Sequence, residues 1–134
     1  MIANYHTHTA RCHHAGGTEE EYVKCAIQSG LKVLGFSDHT PYWFAGEYYS
    51  HMRMFRHELE EYVQVVRELQ EKYKDQIQIL LGVECEYYPT YFAETVEHLR
   101  GAGKAPLLDH GMKNAVFKQR HGCSPFARRH VSVR

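Results

Sequence analysis

The chain has 134 residues, with 16 basic and 16 acidic side chains. That length suits one domain and excludes a complete (β/α)₈ barrel, which needs about 200 residues or more. Hydrophobic residues at 43% and charged residues at 24% place it among ordinary globular proteins. No run of about 18 apolar residues is present to span a bilayer. The N-terminal segment lacks the apolar stretch of a secretory leader, so a cytoplasmic location is expected.

The zero net charge conceals an asymmetry. Residues 1–100 carry 9 basic and 15 acidic side chains, a net of −6, and residues 101–134 carry 7 and 1, a net of +6. The expected organisation is a βα domain over 1–100. An atypical, irregular basic tail is expected over 101–134, either disordered or translated out of frame. Cysteines at 12, 25, 85 and 123 make no C-x-x-C pair. A thiolate zinc knuckle is therefore not expected, nor are disulfides in a cytosolic setting.

In chain order, Ile2–His8 reads as a short strand. Thr18 to Glu21 has the form of a capping box, opening a helix that runs to Ser29. Val23, Ala26 and Ile27 form its apolar stripe, and Gly30 stands at the C′ position. Leu31–Ser37 reads as a buried strand, and residues 40–53 as an aromatic-rich loop. Leu59, Tyr62, Val66, Leu69 and Tyr73 recur at helical spacing within a predicted helix over Phe55–Tyr73. Ile77–Val83 reads as a third buried strand. Thr90–Arg100 reads as a third helix with Phe92, Val96 and Leu99 on one face. Apolar strands alternating with amphipathic helices predict an α/β fold with a parallel sheet. Three βα units alone leave open sheet edges through which copies could associate.

In such folds the functional side chains sit at the carboxyl ends of the strands. The first strand ends in His6-Thr7-His8, the second in Asp38-His39, and the third reaches Glu84. Side chains at i and i+2 of a strand point the same way, so His6 and His8 can offer two imidazoles to one ion. Glu84 supplies a carboxylate able to bridge two cations, and His14 with His39 could hold another. Cys85 is expected to face away from the site as a buried thiol. His13 is less suited than His14, and His51, His57 and His98 are expected in solvent. Tyr42, Trp43 and Phe44 either wall the pocket, hold an imidazole ring by stacking, or pack against the helices.

The segments YHTHTARCHH, FSDHTPYWF, MRM followed by ELEEYV, and GVECEYYP resemble the PHP (polymerase and histidinol phosphatase) superfamily, most closely its histidinol-phosphatase branch. The resemblance covers residues 2 to about 100. It implies part of a distorted, TIM-like (β/α)₇ barrel and two or three divalent ions, zinc, manganese or iron. The implied reaction is hydrolysis of L-histidinol phosphate to L-histidinol and phosphate in histidine biosynthesis. By this resemblance His6 and His8 bind the first ion, Glu84 bridges the first and second, and His14 and His39 bind a third. His6, His8 and Glu84 are then the catalytic set, acting through metal-activated water. Arg53 is implied as a phosphate contact, and Asp38 as a carboxylate orienting a neighbouring ligand. Further ligand motifs of that family are expected after residue 100 and do not occur there, so the chain is expected to be a fragment with little activity alone. A non-catalytic truncated product that binds metal weakly or misfolds is one rival reading, and an exonuclease-like relative acting on nucleic acid is another. The acidic first hundred residues argue against it, as they do against any nucleic-acid partner. No membrane partner is expected.

Overall fold

A computed structural model describes residues 2–102. It contains three strands, β1 (Ala3–Thr7), β2 (Val33–His39) and β3 (Gln78–Glu84), and three α-helices, α1 (Glu19–Gln28), α2 (Leu59–Tyr73) and α3 (Pro89–Ala102). The boundaries differ from expectation by a few residues. β2 starts later than predicted and extends to His39, and α2 starts at Leu59 after a short 3-10 turn over Arg56–Glu58. The expected basic tail lies outside the described residues.

Local chemistry explains each helix. The Thr18 side chain accepts from the Glu21 amide, and the Glu21 carboxylate accepts from the Thr18 amide, so both halves of the capping box are present. Gly30 closes α1 at φ 74°, a conformation that costs glycine nothing. Leu59, Tyr62, Val66, Leu69 and Tyr73 of α2 are all buried. On α3, only Leu99 of the three expected stripe residues is buried, and Thr95 is buried with it. Phe92 and Val96 remain partly accessible, because α3 lies at the margin of the core.

The sheet order is β1-β2-β3, and both neighbouring pairs are parallel. Leu34 and Phe36 of β2 and Ile79 and Leu81 of β3 join α1, α2 and α3 residues in one core. The intervening residues face the other side of the sheet. There Tyr5 is half-exposed and Val33 and Leu80 remain partly accessible. A parallel sheet is normally covered on both faces; among the described residues this one is covered on one. No described helix is long and apolar enough to cross a membrane.

Two details of β1 matter for the site. Asn4 pairs with Leu34 and Thr7 with Phe36, so β1 carries one residue more than β2 between those pairs. This bulge lies immediately before His8, where it re-aims the end of the strand. Beneath it, a Cβ added to Gly35 would lie 3.1 Å from Tyr5 Cα, a backbone atom. Gly35→Ala should therefore push β1 off β2 and cost about 1–3 kcal/mol, read as a lowered denaturation midpoint with an unchanged m-value.

Candidate metal centre

The carboxyl ends of the three strands bring ionisable groups to one place. His39 of β2 pairs in register with Glu84 of β3, and the Thr40 amide extends the ladder to the Glu84 carbonyl at 3.0 Å. His6 and His8 arrive from β1. Their Nε2 atoms stand 2.8 Å apart, and Glu84 Oε2 lies 3.3 Å from the first and 3.2 Å from the second.

These three edges test the fit of a divalent cation. Ligands each bound at about 2.1 Å to one ion stand about 3.0–3.4 Å from one another at right-angled to tetrahedral spacing. The two imidazole–carboxylate edges, 3.3 and 3.2 Å, fall in that range and the imidazole–imidazole edge, 2.8 Å, lies just below it, so the three atoms outline such a triangular face. The donor set, neutral imidazole plus carboxylate, suits zinc, iron or manganese. The residues present therefore fit the ion.

The electrostatics agree. Glu84 is only 3% exposed. Burial pushes its carboxyl up, but the imidazoles of His8, His39 and His6 outweigh that and hold it below the usual carboxylate range. The ring of His8 is central to the cluster, 4.6 Å from that of His39 and 5.1 Å from that of His14. His14 and His39 are 5.4 Å apart. His8 Nδ1 is buried without a hydrogen-bond partner.

A second group, His8, Cys12 and His14, also has ligand atoms within 4.8 Å of one another. Its thiol has other work. Cys12 is fully buried, donates to Asp38 Oδ1 at 3.1 Å and accepts from the His39 amide at 3.0 Å. Burial pushes the thiol far up, and the adjacent Asp38 carboxylate pushes it in the same direction. The chain then turns at His13, whose φ of 57° is left-handed, and this directs His14 back over the strand ends.

The Asp38 carboxylate is engaged by the loop that follows β1. Its Oδ1 accepts from the Thr9 amide and its Oδ2 from the Thr9 hydroxyl, both at 2.6 Å. It thus fixes the loop joining His8 to His14. Arg53, implied as a phosphate contact, is 8% exposed. Its Nη1 donates to Glu86 Oε2 at 2.7 Å and to the Thr40 carbonyl at 3.2 Å. Cys85 is buried, as expected, and contacts the Tyr42 hydroxyl. Trp43 stacks on His98 of α3 at 3.9 Å between centroids, and Tyr42 packs edge-on against Tyr88. This aromatic segment packs against α3 and its approach, and His98, which stacks on Trp43, stays exposed as expected.

Glu86 was not anticipated. It lies 3.3 Å from His39 Nδ1 and 2.7 Å from Arg53. The signal was present in the Glu84-Cys85-Glu86 alternation, which repeats at the end of β3 and just past it the i, i+2 spacing of His6-Thr7-His8.

A sheet of parallel βα units, with imidazoles and a carboxylate converging at its strand ends, defines an α/β protein with a candidate divalent-metal centre. Residues 4–121 match the PHP domain family model, and the chain belongs to that family. A probable histidinol-phosphatase of Schizosaccharomyces pombe is 34% identical over 116 residues, covering 82% of this chain and 37% of that protein. A probable histidinol-phosphatase of Deinococcus radiodurans is 32% identical over 90 residues, covering 66% of this chain and 33% of that protein. The crystal structure of histidinol phosphate phosphatase from Lactococcus lactis subsp. lactis, in complex with zinc, L-histidinol and phosphate, superposes with a TM-score of 0.59. It is 26% identical and covers 74% of this chain and 35% of that one. The chain thus spans about a third of the length of the curated relatives it matches, 33% and 37%.

Proposed function

We propose that this chain carries the amino-terminal metal-binding part of a phosphomonoester hydrolase acting on L-histidinol phosphate. The observation that carries this reading is the triangle of His6, His8 and Glu84. The histidinol-phosphatase relatives, and the L-histidinol and phosphate bound in the Lactococcus protein, support the substrate class. Two or three divalent ions would be held, with His6, His8 and Glu84 at one site and His14 and His39 contributing to another. Such ions supply phosphate charge neutralisation and water activation.

The protein's own residues have distinct tasks. Glu84 keeps its charge at the buried end of β3 and places a carboxylate oxygen between His6 and His8. Asp38 fixes the loop that carries His14. The uncovered sheet face, together with the shortness of the chain against its relatives, supports a (β/α)₇ barrel of which these are the opening three units. Its open edges also offer a route to self-association. Ligands beyond those described would complete the centre.

Phosphate release from L-histidinol phosphate, with Zn²⁺ or Mn²⁺ added, tests this reading beside His8→Ala and Glu84→Ala. The 134-residue chain alone should release phosphate weakly at most, and both substitutions should abolish what there is. Release that persists unchanged in both variants would remove these residues from the reaction.

A further inference from the structure

Glu86 is held from several sides. Arg53 Nη1 binds its Oε2 at 2.7 Å, and the Tyr42 hydroxyl donates to its backbone carbonyl. Arg53 is itself fixed, by the Thr40 carbonyl at 3.2 Å and the Tyr88 hydroxyl at 3.4 Å, with its guanidinium 5.0 Å from the Tyr42 ring centroid. The oxygen that Arg53 Nη1 leaves, Oε1, faces His39 Nδ1 at 3.3 Å.

His39 Nδ1 is buried and has no aligned hydrogen bond. Two carboxylates face it, Glu86 at 3.3 Å and Glu84 at 3.7 Å. Glu84 already lies against His6 and His8. Among the described residues, the close ligand groups include Glu84 and not Glu86. A carboxylate beside one ring nitrogen of a ligating histidine settles which nitrogen carries the proton, and so which keeps its lone pair.

We infer that Glu86, clamped by Arg53, is a positioning residue for His39: it takes the Nδ1 proton as a hydrogen bond and leaves Nε2 as the free donor of that ring. This deepens the functional reading above and rests on His39 being a ligand there. Arg53 thereby acts on the centre through Glu86.

Two- and three-bond ¹H–¹⁵N correlation spectra of the metal-free 134-residue chain, labelled at histidine and kept at mildly alkaline pH, read the tautomer directly. The His39 signals are those lost in His39→Gln. The wild type should show the Nδ1–H form, and an Nε2–H form would overturn the inference without any further variant. Glu86→Ala would leave the Arg53 charge buried and risks unfolding. The paired replacement Arg53→Met with Glu86→Met removes both charges at similar volume, a change that is often neutral for stability. That variant should remain folded by circular dichroism while His39 moves towards Nε2–H. Its zinc affinity, by competition with a chromophoric chelator, should fall about 10–100-fold. A His39 tautomer unchanged in the paired variant would overturn the inference. Absence of zinc binding in the wild type would instead overturn the metal reading, and the tautomer would still decide the role of Glu86.

Discussion

Glu84→Ala is expected to weaken zinc binding by more than about 100-fold, because losing an outer partner alone costs about 10–100-fold and Glu84 is read as a direct ligand. The side chain is 3% exposed and lies within 3.3 Å of both His6 and His8. Its removal takes away the formal negative charge nearest those imidazoles. Glu84→Gln separates charge from packing, since it keeps the volume and one acceptor oxygen. Chelator competition should show the loss in both variants, with the far-ultraviolet spectrum of each like that of the wild type. Wild-type zinc affinity in Glu84→Gln would mean that the carboxylate is not a ligand.

Asp38→Ala should be the most destabilising single change at the strand ends. Asp38 is fully buried and accepts from the Thr9 amide, the Thr9 hydroxyl and the Cys12 thiol. Hydrogen bonds to a charged acceptor contribute about 1.5–3 kcal/mol each, and these overlap, so a loss of roughly 4 kcal/mol is expected. That is a large part of the stability of a small domain. Thermal unfolding should show a lower midpoint, and the amides between Thr9 and His14 should exchange faster than those of α2. A midpoint within experimental error of the wild type would mean that the loop is held by other contacts.

Much of this arrangement was legible in the sequence, for identifiable reasons. The capping box at Thr18, the apolar spacing of α2 and the short apolar strands are local signals, and local energetics decides them. His6, His8, His39 and Glu84 were found because parallel βα units deliver side chains at strand ends to one face. The convergence of their atoms then follows from the β1–β2 and β2–β3 registers together. Other features depend on contacts far apart in sequence. Arg53 and Glu86 are 33 residues apart, and no periodicity relates a loop arginine to a carboxylate beyond a strand. Cys12 is a free thiol, as expected, but its hydrogen bonds to Asp38 and the His39 amide span 26 and 27 residues and leave no local signal. The bulge in β1 has no glycine to mark it.

The candidate centre draws its ligands from both outer strands, His6 and His8 at the end of β1 and Glu84 at the end of β3, with β2 between them. The triangle closes only when both ladders are aligned. A slip of one residue in β3 would turn Glu84 towards the leucines of the core and present Val83 in its place. A bound cation would act as a clasp across the width of the sheet, rewarding one alignment out of several that hydrophobic pairing alone tolerates. At a free concentration 100 times its dissociation constant it would contribute about 2.7 kcal/mol to that alignment. Proofreading of strand alignment and assembly of the reactive centre would then be a single event.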